Sequence, residues 1–181
     1  MPSRRRLLAM LGTTVLAATG GCLTAAGRDL PVREVDGDSY LAGAIEGFPS
    51  SSSLVVAVGD RRLVPAAAAN LPVAARVWND TGDARTVRLR LEADDSGVVF
   101  DRTATVSSGA AVTVDLREPD DYRLLWVDGD DVTVLADVPE ADFDCNETSY
   151  EAAIRPDATV ETSHITTTLG CGPLSRVPTP F

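Results

Sequence analysis

The sequence predicts an all-β protein folded as an antiparallel β-sandwich. Short apolar or alternating runs recur at regular spacing, turn-forming clusters divide them, and a helical apolar period is almost nowhere present.

The runs begin at Leu54. Residues 54–58 are a compact apolar stretch closed by Gly59-Asp60, and residues 61–66 follow as a further strand. Val73, Ala75 and Val77 then face one way while Ala74, Arg76 and Trp78 face the other. Residues 86–92 give the cleanest alternation: Val87, Leu89 and Leu91 share one face, and Thr86, Arg88, Arg90 and Glu92 the opposite one. That period of two suits only a half-buried strand. The cluster Asn79-Asp80-Thr81-Gly82-Asp83 between these two runs predicts that they form a hairpin. Further strands are expected at 98–106, 111–116, 122–127 and 132–136. Acidic and glycine-rich turns such as Asp94-Asp95-Ser96-Gly97 and Asp128-Gly129-Asp130-Asp131 separate them. A last hairpin joins residues 150–154 to 159–168 through Arg155-Pro156-Asp157-Ala158. Residues 29–53 pattern weakly: 40–48 suits a short helix or a strand, and Pro49 with Ser50 to Ser53 suits a linker.

The first residues carry an address. Ser3-Arg4-Arg5-Arg6-Leu7-Leu8 places paired arginines before an apolar stretch, the arrangement of a twin-arginine export signal on Arg4 and Arg5. The apolar run 7–18 is shorter than the roughly 20 residues that span a bilayer, so it reads as a removable signal. Thr19-Gly20-Gly21 leads directly into Cys22. This junction resembles the lipobox of prokaryotic lipoproteins, in which the cysteine thiol is joined to a diacylglycerol; an ordinary signal peptide ending near a chance cysteine is the alternative. The expected organisation is a signal peptide over 1–21, a lipidated N-terminus and linker over 22–53, a sandwich over 54–171 and a tail over 172–181. The expected location is the outer face of the cell membrane.

Every basic residue is an arginine, and lysine and glutamine are absent. Without Arg4, Arg5 and Arg6 the mature chain sets 13 arginines against 27 acids, a net charge of −14. This bias resembles proteins of haloarchaea, whose surfaces face multimolar salt. At such ionic strength the screening length falls to about 3 Å, so dense carboxylates repel little. The charge argues against nucleic acid as a partner, because no basic surface is left to neutralise phosphates.

Glu118-Pro119-Asp120-Asp121-Tyr122, followed by Leu124 and Trp126, puts a tyrosine at the start of a late strand behind an acidic turn. It resembles the tyrosine corner of immunoglobulin-like sandwiches; a simple core tyrosine fits equally well. With Trp78-Asn79-Asp80-Thr81-Gly82, Ser108-Gly109 before Val112-Thr113-Val114, and two late cysteines, residues 72–171 resemble the small immunoglobulin-like domains of secreted haloarchaeal lipoproteins of unknown function. The resemblance implies an immunoglobulin-like β-sandwich and a lipid-anchored address. It transfers no active site.

With Cys22 assigned to lipid, Cys145 and Cys171 remain, an even pair in an oxidising location. They flank the last hairpin, so a clamping disulfide is expected. A metal or redox site built on two cysteines without a Cys-x-x-Cys motif would be short of ligands.

His164 is the only histidine and alternates with Thr162, Thr166 and Thr168, which predicts a polar outer face. No Gly-x-Ser-x-Gly elbow accompanies it. A blue-copper site is excluded: it needs two histidines, and both methionines, Met1 and Met10, lie in the leader. The Asp128–Asp131 turn could offer calcium oxygens, though a solvated turn explains it as well. Paired carboxylates for glycoside hydrolysis have no distinguishing pattern where acids are everywhere. Asn79-Asp80-Thr81 and Asn146-Glu147-Thr148 match the N-glycosylation acceptor pattern. The functional expectation is a non-catalytic surface module, without cofactor, that binds a partner or ligand or takes part in an envelope assembly. An accessory ligand-binding lipoprotein for a transporter is the second reading, and a small hydrolase using His164 the third.

Overall fold

A computed structural model describes residues 29–36, 41, 43–61 and 70–168. The described chain is all-β, with two sheets packed face to face. The strands are β1 (Val32–Val35), β2 (Leu54–Val58), β3 (Val73–Asn79), β4 (Arg85–Ala93), β5 (Gly97–Val106), β6 (Ala111–Leu116), β7 (Tyr122–Asp128), β8 (Asp131–Val138), β9 (Thr148–Ile154) and β10 (Val160–Thr166). One 3₁₀ turn, Glu140–Asp142, lies between β8 and β9.

The larger sheet runs β1-β2-β6-β3-β9-β10 and the smaller β5-β4-β7-β8. Most pairings are antiparallel, as expected, but β2–β6 and β3–β9 are parallel. Both parallel pairs join strands that are separated in the chain by excursions into the smaller sheet. The core between the sheets is built from alternate residues: Val73, Ala75 and Val77 of β3 meet Val87, Leu89 and Leu91 of β4 and Tyr122, Leu124 and Trp126 of β7. Burying such rows at roughly 25 cal/mol per Å² of apolar surface is what drives the two sheets together.

Three expectations change. The runs around Asn79–Asp83 do not form a hairpin, because β3 and β4 belong to different sheets. All seven residues of β3 are buried, which requires neighbours on both edges; β6 and β9 supply them. The cluster is therefore a corner between sheets. Asn79 holds it, donating through Nδ2 to the carbonyls of Asp83 (2.9 Å), Val106 (2.9 Å) and Ser107 (3.3 Å). Secondly, the segment read as a linker is, in its described part, built into the fold. β1 pairs with β2, Leu30 joins the main core, and Ile45 is 1% exposed. Its apolar residues are too few and too irregularly spaced to show a period. Residues 44–47 form neither the helix nor the strand weighed for 40–48, but a bend and turn. The strand expected at 61–66 lies outside the described residues except for Arg61.

A second polar corner sits at the opposite end of the sandwich. Tyr122 is 1% exposed, and its hydroxyl donates to the Glu118 carbonyl at 3.0 Å across the passage from β6 to β7. The same Glu118 carboxylate accepts the Asp60 amide at 2.6 Å. Gly59, at φ +87°, packs against it so closely that a Cβ would stand 2.8 Å from Glu118 Cγ. Only glycine meets both conditions there.

Candidate functional site

The outer face of the larger sheet is organised in transverse rows by strand register. Reading across β2, β6, β3 and β9, one row is Ala57, Asp115, Ala74 and Ser149. The next is Val55, Thr113, Arg76 and Glu151, and beyond it lie Ala111, Trp78 and Ala153. An outer sheet face ordinarily meets water, but Arg76, Glu151 and Trp78 are all buried here. The described part of residues 41–53 covers them.

That covering strap is held by its backbone. Glu151 accepts the Gly43 amide at 3.2 Å and the Ile45 amide at 3.0 Å. Arg76 donates to the carbonyls of Leu41 and Pro49, and its guanidinium stands 4.8 Å from the centre of the Phe48 ring. Ser52 and Thr113 share a hydroxyl–hydroxyl bond of 2.6 Å. Ile45 and Phe48 close over Trp78, Ala111 and Ala153 as a small second core, with Phe48 edge-on to Trp78 at 5.5 Å.

The strap seals two rows, and the first row floors a cavity of about 470 Å³. Ala74 is the small residue between Asp115 and Ser149, so the floor is low and polar on both sides. Asp115 is 6% exposed and takes the Arg117 Nε–H on Oδ2 at 2.6 Å. Ser149 is 1% exposed, and its hydroxyl has no hydrogen-bond partner among the described residues. Val35, Leu41, Leu71 and Pro72 form an apolar wall, and Arg61 adds a second guanidinium. Among the described residues no base lies within hydrogen-bond reach of the Ser149 hydroxyl.

The residues singled out from sequence are not gathered here. Arg4, Arg5, Cys22 and Cys171 lie outside the described residues. Cys145 is partly buried in the loop leading into β9. Asn146 lies beside it, partly exposed, with its amide group bonded to Asp144 Oδ2 at 2.9 Å. Asn79 does not suit the acceptor role expected of it. It is 1% exposed, and besides its three donated bonds its Oδ1 accepts the Thr81 amide and hydroxyl at 3.1 and 2.6 Å.

His164 is exposed on β10, but on the sandwich side of the sheet and not on the outer face expected for it. Its register partner is Tyr150, which packs against the main core, and Thr162 is opposite the core residue Ala152. The row stays open because β10 is the last of six strands facing a sheet of four. His164 stacks on the Tyr150 ring at 5.5 Å and 22°. The Tyr150 hydroxyl donates to Asp142, and burial together with that carboxylate pushes the phenol up from its ordinary range. Among the described residues no group of three or more His, Cys, Asp or Glu is placed to hold a metal ion.

Sequence reasoning passed over Arg76, Glu151, Asp115 and Ser149. A charge inside the small apolar run Val73 to Val77 was the available signal. Its meaning depended on Glu151, 75 positions later in the chain.

No family model, curated protein or solved structure matches this chain.

Proposed function

We propose that this chain is a non-catalytic binding module, exported by its twin-arginine leader and tethered to the outer face of the membrane by a lipid on Cys22. The observation that carries the binding part is the cavity over Ala74, whose lining sets the Asp115–Arg117 pair opposite an apolar wall. The leader pattern and the Gly21-Cys22 junction support the anchoring part.

The tether would be short. Asp29 is the first described residue, and the seven residues from Cys22 to it reach at most about 25 Å. The chain enters at the end of the larger sheet marked by Val32, Val58, Leu116, Val73 and Thr148. Arg117, Leu71 and Glu147 lie at that same end, so the cavity would look toward the membrane side. The turns at 80–84, 107–110 and 155–159 would point away from it.

We read the sandwich as immunoglobulin-like. The β3–β6 pair against β5-β4-β7-β8 has the connectivity of strands B and E against C′, C, F and G, and the Tyr122 hydroxyl makes the corner bond. It departs from that pattern by adding β9 and β10 beside β3. A disulfide from Cys145 to Cys171 would clamp this addition. With Cys22 given to lipid, Cys145 and Cys171 are the even pair left in an oxidising location, which supports that pairing.

The test is Cys22→Ser in the full chain. Release of a folded, disulfide-bonded domain from the membrane fraction is expected, together with loss of a lipid-modified N-terminal peptide by mass spectrometry. Membrane retention after leader removal would refute the anchor.

A further inference from the structure

We infer that the cavity over Ala74 binds a small zwitterion of amino-acid or dipeptide size carrying an aliphatic side chain. The inference rests on the binding-module reading and specifies the class of its ligand.

The floor is built for a molecule with both signs of charge. The Asp115–Arg117 bond occupies one carboxylate oxygen and the Nε–H, leaving Asp115 Oδ1 and the two Arg117 Nη groups without partners among the described residues. An ammonium placed on Asp115 and a carboxylate placed on Arg117 would extend the pair into an alternating array of four charges. Paired, hydrogen-bonded charges are the arrangement that low-polarity surroundings tolerate.

The walls exclude other classes. A plain anion would meet Asp36, Asp115 and Glu147, and a plain cation would meet Arg61 and Arg117. A neutral polyol could use the polar floor but would leave the wall of Val35, Leu41, Leu71 and Pro72 facing hydroxyls. That wall suits a branched aliphatic side chain. The volume of about 470 Å³ falls toward the lower part of the range for small-molecule sites, roughly 300–1,000 Å³.

The experiment titrates the full chain with L-leucine, followed by calorimetry and by the methyl resonances of Leu41 and Leu71. L-leucinamide, 4-methylpentanoate and glucose serve as probes lacking the carboxylate, the ammonium and both charges. Saturable leucine binding that shifts those methyls is expected, with each single-charge probe weaker by at least about tenfold, since each forfeits a charge-assisted bond. Asp115→Asn should weaken leucine about tenfold, and Ala74→Leu should abolish binding by filling the floor. An unchanged thermal midpoint distinguishes lost binding from lost folding in either variant. Equal binding of leucine and leucinamide, or saturation by glucose in place of leucine, overturns the zwitterion while leaving a binding module. Silence from all four probes in the unmodified chain removes the cavity as a site, and the Cys22 test decides the tethering separately.

Discussion

Arg76 and Glu151 stand side by side on the parallel strands β3 and β9, with both side chains fully buried and 3.7 Å between Nη1 and Oε1. Neither is satisfied chiefly by the other. Glu151 takes two amides of the covering strap and Arg76 gives bonds to two of its carbonyls. The pair thus acts as a two-pronged clasp for a segment that has no strand pairing of its own over residues 43–53.

Removing one prong leaves the other charge buried. Arg76→Met or Glu151→Leu should each lower unfolding free energy by about 3–5 kcal/mol, the usual cost of an orphaned buried charge. Protection of the Ile45 amide from hydrogen exchange should fall in both variants. The double variant should recover part of the loss, because no lone charge remains. Urea titration of all four proteins would measure the coupling directly.

The two polar corners should matter in proportion to what they leave unpaired. Tyr122→Phe keeps the ring in the core but removes the hydroxyl bond to the Glu118 carbonyl, so a loss of about 1–3 kcal/mol is expected by thermal or urea unfolding. A variant as stable as the parent would mean that the corner hydroxyl is dispensable.

At the opposite corner, Asn79→Ala removes the donor to three carbonyls, and a loss of about 2 kcal/mol or more is expected. Asn146→Gln should leave stability within about 0.5 kcal/mol, as surface changes do. If the chain carries an N-linked glycan, its mass should vanish with Asn146→Gln, because the Asn79 amide is occupied inside the fold.

On the exposed face of the smaller sheet, Asp101 accepts from Arg88 at 2.7 and 2.8 Å and from Arg90 at 2.9 Å. These bonds, Arg88's first, hold its carboxyl down to about 2 from an ordinary 3.8. A depressed carboxyl stabilises the fold above its ordinary value and loses that contribution as pH falls through about 2. A carboxyl carbon titration should therefore place the Asp101 midpoint near 2, and Arg88→Ala should raise it toward 3.8.

The period of two made most of this fold legible. Leu54–Val58 and Ala111–Leu116 have the bounds read from sequence, β5 and β7 differ by one residue at one end, and β4 by one residue at each end. Alternation carries that information because a strand's side chains point to opposite faces whatever it packs against. The same property is silent on sheet membership. Nothing local distinguishes a β3–β4 hairpin from a corner, and the difference lies in Asn79 reaching carbonyls 27 and 28 residues away.

The candidate site shows the same division more sharply. Ala74, Arg76 and Trp78 were correctly placed on one face by their spacing, yet what that face meets was beyond the spacing itself. The sequence by itself determined where most strands run, which residues share a face and where the chain turns. Tertiary structure decided that a strap closes over Arg76 and Glu151, that His164 lies on the sandwich side of an overhanging strand, and that Asp115, Ala74 and Ser149 share one row. Those facts depend on contacts between residues far apart in the chain, which chain-local periodicity cannot encode.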